Sequence, residues 1–206
     1  MREVIDGVYR WGAVHPNIGV EVSSHYFAPV RTLIDPMAPR DVLEWLDGLD
    51  ERPERIVLTN RHHYRDSDAI RTRFDCPVLC HRAGLYEFEG GPEVEGFAFG
   101  DELAPKITAL EVGVLCEEET ALLLETGGGV LSIADGLINY DGIGFVPDNL
   151  LGRHPGVIKS GLRDAYARLL DHHFDALLFA HGDPIPEGGK DALREFLESS
   201  DEEESR

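Results

Sequence analysis

Leu58-Thr59-Asn60-Arg61-His62-His63-Tyr64-Arg65-Asp66-Ser67 is the stretch on which the reading of this 206-residue chain turns. It follows Arg55-Ile56-Val57, with Pro53 just ahead. A short apolar run that flows into clustered titratable side chains reads as a buried strand delivering a site at its carboxyl end. Residues 67–73 then read as a helix and 77–81 as a strand. Such a strand-helix-strand unit predicts parallel neighbours joined by a right-handed crossover, which places the loop after Thr59 at a sheet end.

Working outward, residues 7–11, 18–22, 25–28 and 32–35 read as short strands of an antiparallel meander. Val42, Leu43, Trp45, Leu46 and Leu49 recur at helical spacing and predict an amphipathic helix over 40–49. Beyond the acidic, glycine-rich loop 87–95, strands are expected at 107–112, 120–125 and 130–134. The last two are joined by a hairpin turn at Thr126-Gly127-Gly128-Gly129. Residues 136–156 show no period and predict a long surface loop. A helix at 160–170, a strand at 176–180 and a helix at 190–197 follow, and the acidic tail 198–206 is expected to fray. Two successive halves of this style predict one domain over 1–206, a four-layer αββα sandwich of two mixed sheets with helices on the outer faces.

Composition excludes several functions. The chain carries 39 acidic residues against 19 basic ones, for a net charge of -20, and its only lysines are Lys106, Lys159 and Lys190. That surface repels phosphate backbones and anionic lipid, so neither nucleic acid nor membrane is an expected partner. The expected partner is a small molecule. Acid excess with scarce lysine also suits a high-salt cytoplasm, and equally a lysine-poor chain from a GC-rich genome. No apolar run approaches the roughly 20 residues that span a bilayer, and the N-terminus lacks a signal-peptide pattern, so a cytoplasmic location is expected. Cys76, Cys80 and Cys116 are too few and scattered for a disulfide framework and read as buried thiols.

The run Ile56-Val57-Leu58-Thr59 followed by His62, then Ser132-Ile133-Ala134-Asp135-Gly136-Leu137, then Leu178-Phe179-Ala180-His181-Gly182-Asp183-Pro184, resembles the metallo-β-lactamase superfamily. The resemblance extends to the early strand end Leu33-Ile34-Asp35-Pro36 and covers nearly the whole chain. It implies a metal centre built from a T-H-x-H-x-D-H motif, a histidine in a P-G-H turn, an aspartate in a G-D turn and a last histidine in a G-H-G turn. Transferred position by position, Thr59, His62, Asp135 and His181 match. Asn60, Tyr64 and Arg65 replace a histidine, the aspartate and a further histidine of the first motif. Val114 or Leu115 stands at the P-G-H histidine, with Cys116 a position or two late.

Three family ligands therefore remain: His62, Asp135 and His181. Arg65 cannot ligate, because a guanidinium stays protonated, and it is expected to take the space of one metal and to pair with Asp135. The cofactor expected is none or one divalent ion, Zn²⁺ or Fe²⁺. His63 is expected to point away and pack, while Tyr64 is expected to face the site. Tyr64, Arg65 and Asp135 are the candidate catalytic groups, and Asn60, His62, Tyr64 and Arg65 the candidate substrate contacts. The resemblance implies a mononuclear hydrolase of an ester, thioester, amide or phosphoester. The alternative is a non-catalytic, metal-free module in which the same four contacts hold a small anion. Of the other histidines, His81 alone ends a strand in a way that calls for checking against the cleft.

Overall fold

Alternation along the strands sets the layers. The structure, a computed structural model, describes residues 1–204, with side chains to residue 200. In the first sheet β1 (Arg2–Ile5), β2 (Val8–Val14), β3 (Glu21–Phe27) and β4 (Thr32–Ile34) form the antiparallel meander. The strands β5 (Arg55–Val57), β6 (Val78–His81) and β7 (Glu95–Phe97) extend it in parallel. The second sheet is built from β8 (Glu102–Ala104), β9 (Ile107–Glu111), β10 (Thr120–Leu124) and β11 (Val130–Ile133), all antiparallel. After the small hairpin of β12 (Leu137–Asn139) and β13 (Ile143–Phe145), β14 (Ala176–Phe179) returns parallel to β11.

Period-two burial sends successive residues to opposite faces. Val57 of β5, Phe27 and Ile34 meet Leu122, Leu124, Val130 and Leu178 between the two sheets. Ile56 instead joins Leu46 of α1 (Arg40–Asp47) and Ile70 of α2 (Ser67–Phe74) on the outer face. On the other outer face Leu131, Ile133 and Phe179 pack on α3 (Pro155–Leu169) and α4 (Gly189–Glu204). Leu46, Ile56 and Ile70 are fully buried, each contributing about 1.5–3 kcal/mol of transfer free energy. The layers are thus helices, sheet, sheet, helices, as the sequence predicts.

Three expectations need correction. Residues 136–156 are not one long loop: β12 and β13 pair in register from Leu137 opposite Phe145, and a short 3-10 turn, Asp148–Leu150, follows. The helix expected from 160 begins at Pro155, where a proline's missing N–H has no partner to lose. At the other end α4 runs through the acidic stretch to Glu204 rather than fraying from 198, while the last two residues lie outside the described ones. The strand β1 has no counterpart in the sequence reading. No helix among the described residues is long and apolar enough to cross a membrane.

At the end of the sandwich where β4, β5, β11 and β14 finish, two main-chain hydrogen bonds cross between the sheets. Thr120 N–H donates to Thr59 O at 2.9 Å, and Ser23 N–H to Ala180 O at 2.8 Å. They close the sheets against each other at the carboxyl ends of the parallel strands, where α/β folds gather their functional loops.

Candidate metal centre

Four strand ends deliver the site. Asp35 follows β4, Thr59 and Asn60 follow β5, Asp135 follows β11, and His181 follows β14. Asn60 caps a 3-10 turn spanning Arg61–Tyr64, its Oδ1 accepting from His62 N–H at 2.9 Å. Its Nδ2 donates to Asp135 Oδ2 at 3.1 Å. This Asx-type cap sets the direction of the side chains that follow. His62 is turned out to solvent and His63 is buried.

His63 is the hub. Its Nδ1 lies 2.9 Å from Asp35 Oδ2 and its Nε2 lies 2.9 Å from Asp135 Oδ1. His181 Nε2 is 3.1 Å from that same Asp135 oxygen. Thr59 secures Asp35 from the other side, its hydroxyl donating to Oδ2 and its N–H to Oδ1 at 2.8 Å. Burial disfavours the His63 imidazolium, yet the Asp135 and Asp35 carboxylates overcome this and lift its pKa to about 9. Burial likewise pushes the Asp135 carboxyl up, and the His63 and His181 rings reverse that and hold it well below the usual carboxylate range.

The sequence expectations divide accordingly. Asp135, His181 and Asn60 come together, and the imidazole that joins them is His63, whereas His62 faces solvent. Tyr64 does not face the site: its hydroxyl donates to Asp68 at 2.7 Å and its ring packs on Phe88. Arg65 makes no ion pair with Asp135. Its Nη1 donates to the carbonyls of Ser23 and Asp35, each at 2.6 Å, while its Nη2 is buried with no partner. His81 stacks on Phe99, with centroids 3.9 Å apart, outside the cluster. Among the described residues, the histidine, cysteine and acidic groups that could share an ion at this site are His63, Asp135 and His181, their donor atoms all within 4.8 Å of one another. Cys116 is not among them.

Backbone strain collects here too. Asp35 (φ 47°) and Arg65 (φ 45°, ψ -122°) are two of five non-glycine residues with positive φ among the described residues. Such conformations cost about 1–3 kcal/mol each and persist where the surroundings over-determine them. The Asp35 carboxylate holds Thr59 beyond the neighbouring strand β5, and the Arg65 guanidinium holds the carbonyls of Ser23 in β3 and of Asp35. His181 is seated by Asn139, whose N–H donates to His181 O at 3.0 Å and whose carbonyl accepts from Asp183 N–H at 2.7 Å. Gly182 (φ +103°) makes that approach possible, since a Cβ there would stand 2.1 Å from Asn139 O.

The arrangement of sheets and strand ends decides the family of folds. The chain has the metallo-β-lactamase fold. It is similar to the metallo-beta-lactamase family protein TTHA1429 from Thermus thermophilus, with 20% identity over 97% of this chain and 81% of that one, at a TM-score of 0.65. It is similar to BJP-1, a subclass B3 metallo-beta-lactamase of Bradyrhizobium japonicum, with 16% identity over 99% and 93% of the chains, at a TM-score of 0.66. A third match is TTHA1623 in a di-iron-bound form, with 20% identity over 89% and 91% of the chains, at a TM-score of 0.62. At such identities the likeness carries the fold and no activity. No protein-family model and no curated protein matches the sequence.

In this metallo-β-lactamase fold the sequence reading missed Asp35 as a partner of the hub, His63 itself, and two buried groups behind them. Glu119 is fully buried and accepts from Gly136 N–H at 2.8 Å and from Leu115 N–H at 3.1 Å. His25, also buried, sits near Asp35, Arg10 and Arg65 with its Nε2 unpartnered. Burial drives the His25 pKa down to about 3. Between pH 6.5 and 3 the unfolded chain therefore binds a proton here that the folded chain does not, and this contribution, complete above pH 6.5, is lost as the pH falls. Relative to His25→Leu, the wild type is expected to lose about 2–3 kcal/mol between pH 7 and pH 4.5. Urea unfolding of both proteins across that range checks it, and parallel pH profiles would refute it.

Proposed function

We propose that this chain is a hydrolase-like protein that holds one divalent metal ion, Zn²⁺ or Fe²⁺, on His63 Nε2, Asp135 and His181 Nε2. The carrying observation is the convergence of those three donors on the carboxyl ends of β11 and β14 and the turn after β5. The donor chemistry fits one ion. Two imidazoles and a carboxylate are a common set for a catalytic ion that keeps open positions. Asp35 on His63 Nδ1 is the outer carboxylate that fixes an imidazole's tautomer and aims its other nitrogen at a metal. The di-iron form of TTHA1623 is a metal-bound neighbour of the same fold.

A second ion does not fit. Asp135 Oδ2, the oxygen left over, is taken by the Asn60 amide, Tyr64 is turned away, and Arg65 places a fixed positive charge at Asp35. A bound ion would polarise a carbonyl or phosphoryl oxygen and lower the pKa of a water. The chain's own contributions are Asn60, which holds Asp135 in place, and Asp35 with Thr59, which hold His63. The substrate class is a small ester, thioester, amide or phosphoester.

The metal-free, anion-binding reading is weakened by where its groups are spent. Arg65 Nη1 is committed to two carbonyls and Tyr64 to Asp68, while two carboxylates face the centre. Loading with Zn²⁺ or Fe²⁺, followed by desalting and metal analysis, is expected to give about one ion per chain. Asp135→Asn and His181→Ala should lose it and His62→Ala should keep it. Metal content near zero in the loaded wild type would overturn the proposal.

A further inference from the structure

A carboxylate with no solvent contact sits behind the centre, and its two oxygens are divided between two loops. Glu119 Oε1 accepts the N–H of Gly136, the residue after Asp135, and Oε2 accepts the N–H of Leu115 in the loop between β9 and β10. Its own carbonyl accepts from Val112 and Gly113 N–H, at 3.1 and 3.0 Å, so that loop folds back on the same residue. Burying a carboxylate is costly unless its lone pairs are met, and here main-chain donors meet them. On the far side the turn is closed in by α3. A Cβ at Gly136 would lie 2.7 Å from Tyr166 Oη, 2.8 Å from Leu162 Cδ2 and 3.0 Å from Glu119 Oε1.

We propose that Glu119 is the positioning residue of the centre. By holding the Gly136 N–H it fixes the plane of the Asp135–Gly136 peptide, and with it the direction from which the Asp135 carboxylate meets His63 and His181. Gly136 has no room to slide sideways, so the hydrogen bond to Glu119 sets the turn's height above β10. The same carboxylate ties that turn to the loop from 113 to 118, where the family resemblance places a histidine that this chain lacks. Glu119 touches neither metal nor substrate, and its effect runs through the main chain. The inference rests on the metal-centre reading for its affinity readout and on Asp135–His181 geometry alone for a second one.

The test compares wild type, Glu119→Gln and Glu119→Ala at a temperature where circular dichroism shows each folded. Zn²⁺ affinity is measured by chelator competition. Glu119→Ala is expected to bind about 10–100-fold more weakly, the range for loss of an outer group that orients a ligand. Glu119→Gln, which keeps a carbonyl for Gly136 N–H, should recover most of that loss. A merely structural role would lower the melting temperature of both variants and leave the folded protein's affinity unchanged, and that result overturns the proposal. Metal-free protein supplies the second reading, the ¹⁵N shifts of the His181 ring. These should show Nε2 hydrogen-bonded in wild type and Glu119→Gln and released in Glu119→Ala. Unchanged His181 shifts in Glu119→Ala would refute the positioning role. A wild type that binds no Zn²⁺ would instead refute the metal reading and leave the His181 shifts to decide this one.

Discussion

His63→Ala should be the most damaging substitution in the centre, costing about 3–5 kcal/mol of stability and all metal binding. The magnitude follows from what remains. Asp35 is 2% exposed and the Asp135 side chain 25% exposed, and both lose the imidazole that lies 2.9 Å from each. Removing one partner of a buried charged network leaves uncompensated carboxylates, which is far costlier than the network's net worth. Asp35 keeps the Thr59 hydroxyl and N–H, and Asp135 keeps Asn60 and His181, so the fold is weakened rather than abolished. The neighbouring His62→Ala, at an exposed ring, should stay within about 0.5 kcal/mol of wild type and retain its ion. Chemical denaturation of the two variants side by side decides the matter. Equal losses, or a larger loss at His62, would mean that the turn after β5 presents the other histidine.

Gly182→Ala is the second large expected effect, and it acts through the backbone. The residue is at φ +103°, a conformation that side-chain-bearing residues rarely adopt. A Cβ would stand 2.1 Å from Asn139 O and 2.3 Å from Asn139 C, and main-chain atoms cannot swing aside as a side-chain tip can. Relief requires parting Asn139 from the His181–Asp183 segment, which breaks the hydrogen bonds that seat His181. The Gly182 carbonyl would also move from Arg10 Nη2 and Ser23 Oγ, which donate to it at 2.9 and 3.0 Å. A loss of about 3 kcal/mol or more is expected, with Zn²⁺ affinity falling in the protein that still folds. Gly156→Ala in α3, where a Cβ meets nothing within 4 Å, is the control and should be neutral or slightly stabilising. Indistinguishable melting curves for the two variants would contradict the proposed clash.

The layers were legible because alternation and helical spacing are long-range signals repeated over many residues. Ile56 and Val57, adjacent and both apolar, already imply that β5 is buried on both faces. The hairpin of β12 and β13 was not legible, since three-residue strands around Asn139-Tyr140-Asp141-Gly142 offer no period to detect. The location of the centre could be read from the polar cluster after Val57, but its membership could not. Which of two adjacent histidines faces inward depends on the dihedral angles of one turn, and the available clue was Asn60, a residue type that caps such turns. Asp35 stood in view at a strand end, yet its role depends on a partner 28 positions away in the chain. Glu119 gave no signal at all, for in Glu117-Glu118-Glu119 nothing marks the last two carboxylates as buried, or the third as the one behind Asp135.

The two main-chain hydrogen bonds that cross between the sheets bear on the order in which the molecule can come into being. Ser23 lies near the start of the chain and Ala180 near its end, and ordering so long a loop carries a large entropic cost before the contact returns anything. Each sheet can pair most of its strands with near neighbours in sequence, whereas the junction that brings His181 to Asp135 and His63 waits for almost the whole polypeptide. During synthesis the first half of the chain can therefore form its meander and parallel strands with Asp35, Asn60 and His63 already in place. The cluster of His63, Asp135 and His181 stays incomplete until the last strand arrives, so the proposed ion, if captured early, would have to be held without His181.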